Sequence, residues 1–347
     1  MIRLRETGGP NMSTSAPVHP RQALFGSAPR APALPVCDHY AGTPERMQKS
    51  LALQAELGPV FDVTLDNEDG APVGAEIEQA QRIAHTLASP ANQFGRVGVR
   101  LLALDHRHFD EVAHTVLASP RAPAYLMLPK LNSAAELEQA AARINQLGGA
   151  SVPLHALVET HGALLDVFNL AAHPRIESLS FGLMDFVSAH GGAIPHSAMT
   201  AAGQFEHPLV QRAKLQIAAA CHAHHKTPSH CVVTEFKNTN ALAAAADKAS
   251  RLYGYTRMWS IHPGQVRCII DSFAPTLAEV DEAIAIITAA QAAQWAPIRY
   301  RQAGEDQLHD RASYRYFWQV IEKAQRTSTI GAPNLPAELR LAWFGPA

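Results

Sequence analysis

Residues Leu154–Thr160 read LHALVET, and residues Glu177–Val187 read ESLSFGLMDFV. Each is an apolar run bounded by turn formers, and each runs into a carboxylate, Glu159 in the first and Asp185 in the second. Runs that are apolar throughout, rather than alternating, mark strands buried on both faces, as in a parallel sheet covered by helices. Two acids at the ends of successive buried strands suit Mg2+, which takes one or two carboxylates and fills its other positions with water and substrate. The same pattern also fits two carboxylates that cap the following helices or meet an arginine.

The unit repeats in both directions. Upstream lie ALPVC (Ala33–Cys37), VFDVTLDNEDG (Val60–Gly70), RVGVRLL (Arg96–Leu102) and AYLMLPK (Ala124–Lys130); downstream lie HCVVTE (His230–Glu235) and RMWSIHPGQV (Arg257–Val266). Helices are predicted between them. Thr43 with Pro44 opens one that runs to Leu57, others span Val73–Leu87, His108–Ala118 and Leu209–His224, and the capping boxes Ser133/Glu136 and Thr276/Glu279 open two more. Eight strands alternating with helices predict an α/β fold, a (β/α)8 TIM barrel, in which polar residues at the strands' carboxyl ends gather at one mouth. An open doubly wound sheet is the alternative, but no glycine-rich first turn supports it. The expected division is a mobile tail over residues 1–30, the barrel over 31–294 and a C-terminal helical extension over 295–347. The aromatic stripe Tyr314, Phe317 and Trp318 in that extension is expected to pack on the barrel or on a neighbouring subunit.

With 347 residues, 47% of them hydrophobic, the chain can bury a large core. A formal net charge of -2 supplies no basic field, so nucleic acid is a poor partner. Four cysteines without a CxxC pair fit a reducing compartment. No apolar run approaches the roughly 18 residues of a membrane span, and no apolar signal segment follows Arg3 and Arg5, so a soluble cytoplasmic protein without membrane partners is expected.

Other polar residues need placing. Arg100 sits on an apolar strand and requires a partner, either a substrate carboxylate or the acidic cluster Asp66, Glu68 and Asp69. Lys130, at a strand end beside acids, fits an ion pair better than a Schiff base. His222, His224, His225 and His230 with Cys221 and Cys231 match no zinc spacing. His262 either faces the pocket or satisfies the turn made with Pro263 and Gly264.

Taken in order, these motifs resemble the citrate lyase beta subunit and malyl-CoA lyase group, which includes the HpcH/HpaI aldolases. The resemblance is carried by LDNEDG (Leu65–Gly70), VRL (Val99–Leu101), LPK (Leu128–Lys130), ETHGAL (Glu159–Leu164), FGLMDF (Phe181–Phe186) and IHPGQV (Ile261–Val266), and it covers about residues 35–292. It implies a TIM barrel that binds Mg2+, with Mn2+ as a substitute, through Glu159 and Asp185. It further implies cleavage or formation of a C–C bond in a coenzyme A thioester, or in a related hydroxy-keto acid. Arg100 would hold a carboxylate or ketoacid oxygen, and Glu68 and Asp69 would order the mouth. Asp310, in GEDQLHD, resembles a C-terminal aspartate that a neighbouring subunit contributes, with Asp306 as its rival. A homo-oligomer, trimer or hexamer, is implied as well. Coenzyme A phosphates would want local cations, and Arg251, Arg257 and Arg267 are candidates, with a solvated surface as the alternative. A thioester hydrolase on the same metal site, or a non-catalytic binding or assembly subunit, are the competing functions.

Overall fold

In the computed structural model of the chain, residues 18–28, 32–70, 72–302, 304–327 and 335–345 are described. The chain divides into two compact units, the larger formed by residues 29–274 and 323–334 and the smaller by residues 1–28, 275–322 and 335–347.

In the larger unit eight parallel strands close in sequence order. They are β1 (Cys37–Ala41), β2 (Phe61–Asp66), β3 (Val97–Arg100), β4 (Leu126–Leu128), β5 (Leu154–Val158), β6 (Ile176–Phe181), β7 (Thr227–His230) and β8 (Arg257–Ser260), with β8 pairing back onto β1. The predicted TIM barrel is therefore the fold. Outer helices follow the strands. The short helix α1 (Pro20–Phe25) belongs to the smaller unit; the larger one carries α2 (Pro44–Leu57), α3 (Glu76–Ala88), α4 (Phe109–Leu117), α5 (Ala134–Gln146), α6 (His161–Leu165), α7 (Val167–Ala172), α8 (Leu183–Ser188), α9 (Pro208–Ala223), α10 (Thr239–Asp247) and α11 (Pro263–Phe273). Thr43 and Ser133 cap their helices as the sequence predicts, each hydroxyl accepting from the backbone N–H three residues on.

Register places the functional ends. Asp66 pairs with Arg100 across β2 and β3, and Val158 with Phe181 across β5 and β6, so Glu159 and Gly182 emerge side by side at the carboxyl mouth. Below them the barrel interior holds a buried ion cluster. Arg257, at the start of β8, places Nη2 3.0 Å from Asp38 Oδ2 and Nη1 2.6 Å from Asp62 Oδ2. Arg257 is fully enclosed, so it is not a coenzyme A ligand: two barrel carboxylates already neutralise it.

Two strands differ from expectation. β7 is TPSH, Thr227–His230, three residues earlier than the apolar run HCVVTE, because small Ser and Thr side chains fit the barrel interior and Ser178 donates to Thr227 O at 2.9 Å. After β8 the chain turns at once into α11: His262 is its N-cap, accepting from Gly264 N–H at 3.1 Å, so His262 serves the turn.

The smaller unit contains α12 (Leu277–Ala292), opened by the predicted Thr276/Glu279 capping box, the antiparallel hairpin β9 (Ile298–Gln302) and β10 (Glu305–His309), residues 311–322 of α13 (Arg311–Thr327), and α14 (Ala337–Phe344). The division into compact units falls at Pro275, and α12 groups with this unit. Helix α1 stands inside the stretch read as a tail: His19 stacks edge-on against Trp318 and meets Trp343 O at 2.9 Å. The first seventeen residues of that expected tail lie outside the described residues. Tyr314 and Trp318 are buried within the unit, Tyr314 donating to Ala296 O at 2.8 Å and Trp318 stacking on Phe344, so both rings are packed by the chain itself.

Candidate active site at the barrel mouth

Glu159 follows β5 and is 3% exposed. Its Oε1 accepts the backbone N–H of Lys130 at 2.7 Å. That N–H is aimed by an unusual backbone, since Lys130 has φ 53°, a left-handed conformation rare outside glycine. Burial, with the nearby charge of Asp185 second, pushes the Glu159 carboxyl up to about 7. Asp185 is half-buried in the first turn of α8. Both acids line two adjoining cavities of about 810 and about 170 Å3. A bound cation would offset both the burial and the Asp185 charge that raise Glu159, and two carboxylates facing open space match a hard cation that keeps water and substrate oxygens. Among the described residues no three His, Cys, Asp or Glu side chains are grouped so as to hold a metal ion, so the donor set is unlike that of a closed zinc centre. The His and Cys residues whose spacing fits no zinc site have other partners: His222 meets Gly254 O at 2.8 Å, and Cys231 donates to Gln204 Oε1 at 3.0 Å.

Across the mouth stands Arg100, buried at the end of β3. Its Nε and Nη2 donate to the two oxygens of Asp66 at 2.6 and 3.0 Å, Nη1 reaches Glu68 Oε2 at 3.1 Å, and Nη2 also approaches the Tyr40 hydroxyl at 3.3 Å. Tyr40 in turn donates to Asp66. Burial works to raise Asp66, but the Arg100 charge and the hydrogen bonds from Arg100, Tyr40 and Glu68 N–H outweigh it and hold the carboxyl below its ordinary value. Glu68 is raised, by burial first, with Arg100 and Lys130 opposing. Lys130 Nζ pairs with Glu68 and lies 3.3 Å from Asp69 Oδ1. Lys130 is thus the ion-pair partner the sequence suggests. Arg100 meets the acidic cluster, and one of its five N–H groups remains for a ligand.

The structure brings together Glu159, Asp185, Arg100, Glu68, Asp69 and Lys130. It does not bring Arg251 there: that residue pairs with Asp247 at 3.0 Å on the turn that feeds the amino end of β8, opposite the mouth. Arg267 lies 3.7 Å from Glu56 on the outside. Asp310 caps α13, its Oδ1 accepting from Ala312 N–H at 2.9 Å and Ser313 N–H at 3.4 Å, while Asp306 pairs with Arg299 across the hairpin. Tyr40, Val232 and Trp259 also line the smaller cavity and were not legible as site residues. Tyr40 lies on β1, Cys37–Ala41, just past Asp38 and His39, near which the sequence reading ended the strand.

A closed parallel barrel with two carboxylates and a held arginine at its carboxyl mouth defines a TIM-barrel enzyme suited to divalent-cation chemistry. The family model for HpcH/HpaI aldolase/citrate lyase matches residues 49–263, and the chain belongs to that family. It is similar to the crystal structure of a citrate lyase from Burkholderia xenovorans LB400, at 53% identity over 89% of this chain and 95% of that one, with a TM-score of 0.79. It is 27% identical over 248 residues to a (3S)-malyl-CoA thioesterase of Cereibacter sphaeroides, covering 71% of this chain and 81% of that protein. The same fold recurs in the protein CitE of Mycobacterium tuberculosis in complex with magnesium, acetoacetate and coenzyme A, at 21% identity, 84% and 99% coverage and a TM-score of 0.67.

Proposed function

We propose that this chain is a Mg2+-dependent carbon–carbon lyase that cleaves or forms a β-hydroxy-acyl thioester of coenzyme A, or a related hydroxy-keto acid. The observation that carries the reading is the pair Glu159 and Asp185 at one mouth, the first raised by burial and then by the charge of the second, facing an arginine held by Asp66 and Glu68. Glu159 and Asp185 would hold Mg2+, and Mn2+ would substitute. When bound, the ion supplies Lewis-acid polarisation of a carbonyl oxygen. The protein supplies orientation. Cleavage in the retro-Claisen sense takes a proton from the β-hydroxyl, turns that carbon into the carbonyl of a keto acid and leaves the electron pair on the thioester fragment. Arg100 offers its remaining N–H to the keto acid's carboxylate, and its bidentate grip on Asp66 fixes the direction of that donor. Lys130 N–H fixes one oxygen of Glu159, and Glu68 and Asp69 order water at the rim.

The reading includes a homo-oligomer working in the cytoplasm. Leu308, Tyr316 and Leu341 are exposed apolar side chains of the smaller unit that a second copy would cover, and Asp310 would be its contribution to a neighbouring site. Among the described residues no helix is long and apolar enough to cross a membrane. Hydrolysis of the thioester is the second reading, favoured by the similarity to a malyl-CoA thioesterase. One assay separates them. With malyl-CoA or citramalyl-CoA and Mg2+, a lyase releases keto acid without free thiol, whereas a hydrolase releases coenzyme A thiol. Neither product, or equal product from Glu159→Gln, overturns both readings.

A further inference from the structure

Tyr40 reaches the mouth from β1, a strand that supplies none of the acids or cations lining the smaller cavity. Its hydroxyl bridges the Asp66–Arg100 pair: it donates to Asp66 and accepts from Arg100 Nη2 at 3.3 Å. Burial first and the Asp66 charge second push the phenol up, so the group stays protonated and keeps a hydrogen for Asp66. The guanidinium carbon of Arg100 lies 5.2 Å from the centre of the Tyr40 ring, within cation–π range, and Trp259 stacks on that ring at 6.2 Å with 18° between planes. The hydroxyl is closely enclosed, since a methyl group on Gly70 would overlap both it and Asp66 Oδ2.

The donors to Asp66 differ in where they come from. Besides Arg100 Nε and Nη2, the carboxylate accepts the backbone N–H groups of Glu68 at 3.0 Å and Gly70 at 2.5 Å, which belong to the loop after its own strand. A bidentate pair fixes its two members to each other, and loop N–H groups move with the loop. Tyr40 is the donor that ties the pair to a third strand. Arg100 in turn gives Nε–H and one Nη2–H to Asp66, the second Nη2–H to Tyr40 and one Nη1–H to Glu68, which leaves one Nη1–H. We propose that Tyr40 is a positioning residue that aims this last N–H at the substrate, its hydroxyl anchoring the Asp66–Arg100 pair to β1 and its ring supporting the guanidinium. The inference rests on the metal-assisted lyase reading and adds a residue to it. A single donor has no second contact to correct its direction, so its aim depends on what holds the arginine.

Tyr40→Phe keeps the ring and removes the anchor, and Tyr40→Leu removes both. Crystal structures of the full-length wild type and Tyr40→Phe come first: the Arg100 guanidinium should move by more than about 0.5 Å or turn by more than about 10°, the tolerance of a productive constellation. An unmoved guanidinium overturns the inference whatever the activity. On whichever of malyl-CoA and citramalyl-CoA the wild type cleaves, Tyr40→Phe should lower kcat about 10- to 100-fold with KM changed less than about threefold, and Tyr40→Leu should lower it further. Mg2+ affinity, titrated by calorimetry, should stay within about twofold, because the hydrogen bonds of Tyr40 go to Asp66 and Arg100. A ring that merely fills the wall would affect stability and leave the turnover of folded Tyr40→Phe alone. A kcat of Tyr40→Phe within about twofold of wild type therefore overturns the inference and leaves the lyase reading standing. If the wild type cleaves neither thioester, the lyase reading falls, and the guanidinium shift still decides whether Tyr40 positions Arg100.

Discussion

Gly182→Ala tests the metal reading through shape rather than charge. Gly182 has φ -88°, which alanine adopts without strain, so any effect comes from contact. A methyl group built there would stand 2.5 Å from Glu159 Cβ and closer still to Oε2. Carbon atoms rest about 3.5–4.0 Å apart, so the stem of Glu159 must retreat by about 1 Å. Its Oε1 is tied to Lys130 N–H at 2.7 Å, and the residue is buried, so the retreat is not a free rotation at the far end of a flexible side chain. Metal-ligand distances tolerate about 0.2 Å. The expected result is a loss of about 10- to 100-fold in Mg2+ affinity, equivalent to about 1.4–2.7 kcal/mol. Overpacking should add a folding cost of about 1–3 kcal/mol. Calorimetry with Mg2+, or electron paramagnetic resonance with Mn2+, measures the first, and urea unfolding of the metal-free protein the second. Metal binding within twofold of wild type in Gly182→Ala would falsify the placement of Glu159 in the site.

Three further outcomes follow from the packing. Arg257→Met should cost about 3–5 kcal/mol in urea unfolding, toward the lower end because Asp62 keeps Arg96 at 2.6 Å, and should leave Mg2+ and coenzyme A affinity unchanged. His39 is pushed down to about 4, by burial first, so the unfolded chain takes up that proton before the folded one as pH falls. The stability it contributes is complete above about pH 6.5 and lost as pH approaches 4, up to about 3 kcal/mol, read as the pH dependence of the difference between wild type and His39→Gln. Asp310→Ala should cost about 1 kcal/mol as a lost helix cap, whereas Asp310→Asn keeps the cap. A fall in turnover of Asp310→Asn at unchanged stability marks a role in the site, and unchanged turnover confines the residue to capping.

The barrel was legible because parallel strands buried on both faces leave unbroken apolar runs, and because helix starts carry their own chemistry at Thr43, Ser133 and Thr276. Glu159 and Asp185 stood out as acids at the ends of such runs. What escaped the reading depends on partners distant in sequence. Arg257 looks like any basic residue until Asp38 and Asp62, some two hundred positions away, are folded against it. TPSH reads as a turn because its polar atoms are satisfied only inside the barrel. The β9–β10 hairpin carries no burial alternation, β10 being exposed except at His309, so its residues resemble a polar loop. Tyr40 became a site residue only when β1 was paired with β2.

Lys130 has a consequence for redesign of the mouth. Its main chain holds Glu159 on one side and its ammonium group holds Glu68 and Asp69 on the other, all from a backbone conformation that costs a non-glycine residue about 1–2 kcal/mol. Substitutions at the acidic rim therefore do not act alone. Exchanging Glu68 to admit a new substrate loosens the hinge that aims Glu159, so a library that varies the rim one position at a time will find mostly losses. Paired changes at Lys130 and Glu68 are the route by which this scaffold can change its substrate and keep its metal.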